Sequence, residues 1–322
     1  MILCRKLFLA VAFALIGVVS VRSGHAAAAE RVNVERVNGA KAMQYTREFV
    51  TTSGRRWVGS PGHARAEEYI RKQFAKDDLV LDSFTTQTPA GPMEMHNYIV
   101  RFPGKKDGVI VLASHYETNY PLKDVSYVGA NDGGATSGLL MELANHLRGA
   151  RPRVGFASRP KLDGYSVWLV FFDGEEAIRD WSASDSTYGS RHLAAKWQND
   201  GTLKRVKAFL LLDMIGDRDL DIQRELNSTP KLLDLVGQAA TRAGARSHFY
   251  ATENAIEDDH IPFVERGVPC ADIIDLDYGP HDAAHPDGYH HTVEDTLDKV
   301  SGKSLAAVGD TVLQAIQMIN QR

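Results

Sequence analysis

Three carboxylates follow one apolar stretch of the chain. Residues 167–177 read VWLVFFDGEEA, so a run of apolar residues ends in Asp173, Glu175 and Glu176. Carboxylates this close repel one another and raise one another's pKa, unless they face water or a cation lies among them. A divalent cation keeps neighbouring carboxylates ionised, and this makes the stretch a candidate metal-binding segment.

Polar side chains also end the other apolar segments. His115 and Asp213 each close a strand-like run, Asp132 opens the helical segment after His115, and His290 and His291 lie in a loop near the end of the chain. Ligands of open α/β sheets bind outside the carboxyl ends of the strands, so these groups are expected to converge there. Two imidazoles and three or more carboxylates, with no available thiolate, suit a catalytic Zn²⁺ that keeps one coordination position open.

The same residues have a second interpretation. An Asp or Glu between a strand and a helix often caps that helix, and a lone histidine at a strand end often has a structural role. The sequence contains no short-range ligand motif such as HExxH. Spacing alone therefore leaves both a metal site and a set of capping residues open.

The segments that must position these groups alternate between strand and helix. After two helical segments and a strand hairpin, apolar strand-like runs alternate with helical segments at 107–117, 132–149, 164–176, 185–200, 205–217, 228–244, 269–277 and 301–321. This alternation predicts an α/β fold, a three-layer sandwich with a mixed, mostly parallel central sheet flanked by helices. The hairpin predicts antiparallel edge strands, and the basic, Pro/Gly-rich stretch 148–165 predicts a surface loop.

The start of the chain has the pattern of a secretory signal. Arg5 and Lys6 precede an apolar run at 7–21, and four alanines follow it. An uncleaved membrane anchor is the alternative, but the run is short for a span of roughly twenty apolar residues. We therefore predict a signal peptide at 1–29, one domain at 30–322, and a periplasmic or extracellular protein that is not inserted in the membrane after cleavage.

Charge and cysteine content narrow the classes of function. Cleavage would remove three cations and no acids, which changes the formal net charge from −4 to −7. A mildly acidic exported protein is a poor candidate for nucleic-acid binding. Of the two cysteines only Cys270 would remain, so we expect no internal disulfide. We expect a monomer.

From about residue 59 to residue 300 the sequence resembles the zinc aminopeptidases of the M28 peptidase type and their relatives, the glutaminyl cyclases. The segments that match both branches are HYET, GANDGGATSGLLMELA, FFDGEE, LLDMIG and HHTVEDTLDKVS. Two segments look specifically like glutaminyl-peptide cyclotransferases, namely FFDGEEAIRDWSASDSTYGSRHLAAKW at 171–197 and IEDDHIPFVERGVP at 256–269. The resemblance implies a zinc-dependent aminoacyltransferase that converts the N-terminal glutamine of peptides to pyroglutamate with release of ammonia.

The resemblance also implies the metal ligands. Asp132, Glu176 and His291 match the three ligands of the single zinc of the cyclases. His115 and Asp213 match positions that complete a second metal in the di-zinc aminopeptidases, where Asp132 would bridge the two ions. One zinc is therefore expected in a cyclase and two in an aminopeptidase.

Further residues acquire roles in the same way. Glu175 matches the general acid/base of both branches, and Asp213 and Asp258 match the supporting carboxylates of the cyclases. The expected residues of the substrate pocket are Trp181, Ile256 and His290.

The sequence departs from the cyclase pattern at several positions. His290 stands where the family usually has an aromatic residue, commonly tryptophan. Glu257 stands where the family has glutamine, and Asp272 where animal cyclases have histidine. An aminopeptidase that removes N-terminal residues is the alternative function. A non-catalytic binding module on the same fold would require loss of ligands, and all five ligand positions are filled.

Overall fold

The fold is built around a six-stranded mixed sheet, and among the described residues two further strands form a separate short pair. In the computed structural model, which describes residues 36–149, 161–286 and 288–322, the strands are β1 (Asp78–Thr88), β2 (Gly91–Phe102), β3 (Gly104–His115), β4 (Leu162–Phe172), β5 (Val206–Asp213), β6 (Ile222–Glu225), β7 (Phe249–Asn254) and β8 (Cys270–Ile274). The helices are α1 (Gly39–Ser53), α2 (Pro61–Gln73), α3 (Thr136–Gly149), α4 (Tyr188–Asn199), α5 (Pro230–Ala243), the single turn α6 (Ile261–Val264) and α7 (Gly302–Asn320).

The main sheet has the strand order β1-β2-β4-β3-β5-β8. The hairpin strands β1 and β2 are antiparallel to each other, and β2 is antiparallel to β4. From β4 onwards the sheet is parallel, since β3 pairs in parallel with β4 and β5, and β5 with β8. The predicted mixed, mostly parallel sheet with an antiparallel edge is confirmed.

Alternate residues of β3 face opposite layers of helices, because successive side chains of a strand point to opposite faces. Ile110 and Leu112 belong to the apolar cluster that contains residues of α1, α3, α5 and α7. Val109 and Val111 belong to the cluster that contains residues of α4 and α6. Burial on both faces explains why the parallel strands read as continuous apolar runs. The three-layer arrangement is confirmed.

The second helix begins where its sequence predicts. The hydroxyl oxygen of Ser60 accepts a hydrogen bond from the backbone N–H of His63 at 2.9 Å, and Pro61 occupies the first helical position. Both features are typical of helix N-termini. The cap fixes the start of α2 and therefore the placement of His63, a residue of the network described below.

Some features lie beyond or against the sequence-based expectations. The short parallel pair β6-β7 was not predicted, and Leu162 and Asp163, expected only in a surface loop, form the start of β4. The rest of that loop at 150–160 and the predicted signal peptide at 1–29 lie outside the described residues. Among the helices of the described ranges, none combines the length and apolar character needed to cross a membrane.

Candidate active site and metal centre

The polar residues predicted to converge do so at the carboxyl ends of the parallel strands. His115 ends β3 and Asp213 ends β5, and the Nε2 atom of His115 lies 2.9 Å from Asp132 Oδ1 and 3.4 Å from Asp213 Oδ1. On the other side of Asp132, the Nε2 atom of His291 lies 3.4 Å from Asp132 Oδ2 and 3.0 Å from Glu176 Oε1. Asp132 thus lies between two imidazoles, as a bridging or shared ligand would.

The turn that presents Asp132 depends on a glycine. Gly133 has φ 71°, and a Cβ atom at this position would lie 2.9 Å from Cε1 of His115. Any side chain here would displace His115 or the turn. Asp295 fixes the same turn, because its carboxylate accepts hydrogen bonds from the backbone N–H groups of Asn131 at 2.8 Å and Asp132 at 3.2 Å.

Left-handed backbone is concentrated at this site. Among the described residues, the non-glycine positions with positive φ are Thr187, Met214, Tyr250 and His291. His291 is itself in the cluster, Met214 follows Asp213, and the N–H of Thr187 donates to the Glu175 carbonyl at 2.7 Å. Such conformations cost about 1–3 kcal/mol each and persist where the surroundings impose them, often at functional sites.

The donor set fits a cation such as Zn²⁺. Both ring nitrogens of His115 are buried and make no well-oriented hydrogen bond within the described residues, although carboxylate oxygens lie close by. Ligand atoms of His115, Asp132 and Asp213 lie within 4.8 Å of one another, as do those of Asp132, His290 and His291. His290, expected as a pocket wall, therefore also lies where it could bind the ion.

Burial and neighbouring charges control the protonation of the cluster. Burial raises the pKa of Asp132, but the hydrogen bonds and charges of His115 and His291 outweigh burial and hold it well below the ordinary value. Burial and the charge of Asp132 raise the pKa of Glu176 in spite of the opposing charge of His291. Burial lowers the pKa of His290 to about 4, and the charge of His291 adds to the effect.

Glu175 has the environment of a proton-transfer group. It is buried, and its Oε2 atom lies 3.8 Å from His115 Nδ1. Burial raises its pKa well above the ordinary carboxyl value, His115 opposes this, and the charges of Glu176, Asp258 and Asp259 add to it. A carboxyl group with a raised pKa can act as both acid and base near neutral pH.

A cavity of about 280 Å³ opens onto these groups. This volume is slightly below the roughly 300–1,000 Å³ typical of small-ligand sites. The cavity therefore suits one terminal residue better than an extended peptide. The predicted pocket residues line it together with several cluster residues, and the lining is Asp132, Glu175, Glu176, Trp181, Asp213, Met214, Ile256, Glu257, Asp258, Ile274, Leu276, His290 and His291. Trp181 is 41% exposed, so it lies at the mouth rather than at the base. The Oδ2 atom of Asp258 is buried and has no partner among the described residues.

Sequence reasoning missed four residues that hold the cluster. Glu117 accepts the backbone N–H of Glu176 at 3.1 Å, and Asn119 donates to Glu176 Oε2 at 2.8 Å. The hydroxyl of Tyr127 donates to Asp132, and Asp295 fixes the Asp132 turn as described above. Glu117 and Asp295 lie within HYET and HHTVEDTLDKVS, so these motifs were a signal for them. No sequence pattern pointed to Asn119 or Tyr127.

Asp173 holds the end of β4 from behind the site. Its Oδ1 atom lies 2.8 Å from Nε2 of His63, and its Oδ2 atom accepts the backbone N–H of His96 at 2.7 Å. The hydroxyl of Tyr116 lies 3.2 Å from the same His63 nitrogen. Through His63, His96 and Tyr116, this network connects α2, β2 and the end of β3 to the turn that carries Glu175. Through these contacts Asp173 supports the turn that carries Glu175 and Glu176.

Comparisons with known proteins agree with this geometry. The model of peptidase family M28 matches residues 97–316. The glutaminyl-peptide cyclotransferase of Drosophila melanogaster is 32% identical over 247 residues, which cover 69% of this chain and 68% of that protein. The protein of the same name from Boiga irregularis is 30% identical over 274 residues, which cover 76% and 74%.

Solved structures extend the comparison. The crystal structure of an Acidobacteriales bacterium glutaminyl cyclase is 57% identical, with a TM-score of 0.85, and the match covers 89% of this chain and 96% of that chain. A leucine aminopeptidase precursor from Bacteroides thetaiotaomicron has a TM-score of 0.74 at 22% identity and shows the common fold alone. The chain belongs to peptidase family M28 and, within it, to the relatives of the glutaminyl-peptide cyclotransferases.

Proposed function

We propose that this protein is a zinc-dependent glutaminyl-peptide cyclotransferase, which converts the N-terminal glutamine of peptides to pyroglutamate and releases ammonia. The observation that carries the proposal is the lining of the cavity. Trp181 and Ile256 to Asp258, which come from the two cyclase-like segments, enclose the same space as Glu175 and the candidate ligands. A single terminal residue can therefore reach the ligands and the proton-transfer group at once.

Asp132, Glu176 and His291 would hold one zinc ion, with His290 as a further candidate ligand. Bound there, zinc would supply Lewis-acid polarisation of the γ-carbonyl of glutamine. Glu117, Asn119, Tyr127 and Asp295 would orient the ligands, as hydrogen-bonded partners of metal ligands commonly do.

Glu175 would carry the proton. In cyclisation the α-nitrogen forms a bond to the γ-carbonyl carbon, and the bond from that carbon to the amide nitrogen breaks. The α-ammonium group loses two protons as it becomes the lactam N–H. Glu175 would relay them in turn to the departing amide nitrogen, which leaves as ammonium, so no net proton is consumed or released. Asp258, in the lining, would support this carboxyl group, because its charge adds to the effect of burial on the pKa of Glu175. Asp213 would act through Asp258, whose pKa is raised by burial and by the charge of Asp213.

The protein would otherwise contribute mainly by holding the substrate folded. Amine and carbonyl belong to the same residue, so a confined conformer replaces an encounter of two molecules. The apolar side chains of Trp181, Ile256 and Ile274 in the lining favour such a confined, dry residue.

A di-zinc aminopeptidase is the alternative, favoured by one observation. His115, Asp132 and Asp213 form a second group of candidate ligands in which Asp132 is shared. In that reaction Glu175 would deprotonate a water molecule instead of an ammonium group. The similarity to cyclases, extending to 57% identity, gives this alternative less support.

We further propose that residues 30–322 form the single catalytic domain, that residues 1–29 direct export, and that the protein acts as a monomer on peptide or protein N-termini. The N-terminal sequence of the protein recovered from the culture medium or periplasm tests the cleavage. A mature protein that retains Met1 would contradict it.

One assay separates the two reactions. The purified protein with zinc is incubated with a peptide that begins with glutamine, and the product is analysed for ammonia loss and for loss of its first residue. Ammonia loss with the chain length retained supports the cyclase. Free amino acid with no cyclised peptide would refute it and favour the aminopeptidase.

A further inference from the structure

The mouth of the cavity combines an exposed carboxylate with an exposed aromatic ring. Of the residues that line the cavity, only Trp181 and Glu257 are exposed, whereas Glu175, Asp213 and Asp258 are buried. If the terminal glutamine occupies the buried part, the rest of the peptide must leave past the exposed part. The side chain of the second residue therefore meets Trp181 and Glu257.

Glu257 is free to bind a cation. Among the described residues, no lysine, arginine or histidine forms an ion pair with it, and no other side chain bonds to its carboxylate. The lining includes six carboxylates and neither lysine nor arginine. A zinc ion and the substrate ammonium group would offset the negative charge of the buried carboxylates. Neither would pair with the exposed carboxylate of Glu257 at the mouth.

The backbone around Glu257 is fixed on both sides. The N–H of Ile256 donates to the buried Glu225 at 3.1 Å, and its carbonyl accepts from the amide of Asn227 at 2.9 Å. The carbonyl of Asp258 accepts from the N–H of Ile261 at 2.9 Å. The carboxylate is therefore held at the mouth by a rigid support, although its own side chain is exposed.

We propose that Glu257 makes this site select peptides in which arginine or lysine directly follows the terminal glutamine, and discriminate against aspartate or glutamate there. The methylene groups of a long basic side chain can lie on the indole of Trp181 while its cationic group pairs with Glu257. An acidic side chain would meet a like charge at the same place. The inference rests on the proposed cyclase function and names the substrates of that same site.

The test compares three peptides that differ only in the second residue, Gln-Arg, Gln-Ala and Gln-Glu, by ammonia release. An exposed ion pair changes an affinity by roughly two- to fivefold. The Arg-to-Glu ratio, which is kcat/KM for Gln-Arg divided by kcat/KM for Gln-Glu, reflects both the attraction of arginine to Glu257 and the repulsion of glutamate by it. We expect this ratio to favour Gln-Arg in the natural protein, to fall about fivefold in Glu257→Gln, and to invert in Glu257→Lys. The preference should shrink at about 0.5 M salt, where charges are screened.

Glu253→Gln is the matched control, because Glu253 is exposed on β7, carries the same charge and does not line the cavity. Its Arg-to-Glu ratio should equal that of the natural protein. An unchanged ratio in Glu257→Gln, or an equal fall in Glu253→Gln, would overturn the inference while Gln-Ala is still cyclised. Absence of ammonia from all three peptides would instead overturn the cyclase function, and the inference with it.

Discussion

Replacing His63 by glutamine should remove part of the pH dependence of stability. His63 is buried on α2, and its Nε2 atom lies 2.8 Å from Asp173 Oδ1 and 3.2 Å from the hydroxyl of Tyr116. Burial lowers the pKa of His63, but the charge and hydrogen bond of Asp173 outweigh burial, with help from Glu67 and Glu117, and raise it to about 8. Protonated His63 therefore stabilises the folded state.

The magnitude follows from the pKa difference. The folded value of about 8 exceeds the ordinary value of 6.5, and a difference of 1.5 units corresponds to about 2 kcal/mol. Because the folded pKa is the higher one, this stability is fully present below pH 6.5 and is lost as the pH rises through 8. Burial also raises the pKa of Asp173, so ionised Asp173 costs free energy that the His63 charge offsets.

Urea unfolding at about pH 6 and pH 9 measures the effect. The difference in free energy of unfolding between the natural protein and His63→Gln should be larger at pH 6 by about 2 kcal/mol. His281→Gln is the control, since His281 lies in an exposed loop and, within the described ranges, pairs only with the exposed Asp277. A difference that does not vary with pH would refute a protonated His63 and leave a neutral hydrogen bond to Asp173.

Three further outcomes are expected. Glu175→Gln should lower kcat by roughly 10²- to 10⁴-fold with its zinc content retained, because proton transfer is lost while the ligands stay. Asp295→Asn should weaken zinc binding roughly 10- to 100-fold, measured by chelator competition, because Asp295 holds the turn that presents Asp132. Removal of metal by a chelator should abolish ammonia release and lower the Tm, and added zinc should restore both.

A specific result would contradict each of these three predictions. Activity that survives in Glu175→Gln would assign proton transfer to another group, and Asp258 is an alternative in the lining. Unchanged zinc affinity in Asp295→Asn would show that the Asp132 turn holds without its carboxylate. Full activity after exhaustive chelation would remove the metal from the reaction, whatever its effect on the Tm.

The core of the fold could be predicted from the sequence because the parallel strands of the main sheet are buried on both faces. Continuous apolar runs such as the one before Asp173 are typical of strands in a parallel sheet that is covered on both faces. The glycine and capping signals between these runs mark the ends of the helices. The β6-β7 pair was not predicted because four residues such as Ile222–Glu225 carry too little periodicity.

The site was accessible only in part, for a different physical reason. Residues at strand ends, such as His115 and Asp213, are placed at one edge by the sheet itself, so their proximity could be predicted from the sequence. Asn119 and Tyr127 reach the cluster through irregular loops, and a loop conformation is determined by tertiary contacts rather than by local pattern. Glu175 and Glu176 both follow the same strand, so their different expected roles, proton transfer and metal binding, could be assigned only from the resemblance to the family.

The proposed metal ligands alone do not select the reaction. Asp132, Glu176 and His291 could serve cyclisation or hydrolysis, and Glu175 could move the proton in either. Hydrolysis needs a water molecule beside the metal, whereas cyclisation supplies its nucleophile from the substrate and gains from excluding water. The segments around Trp181 and residues 256–258 form cavity wall beside the proposed ligands and contribute no ligand of the proposed single-zinc site. We therefore expect the carboxyl ends of the strands to provide reactivity common to the family, and the loops at the cavity mouth to determine which nucleophile reaches the carbonyl carbon.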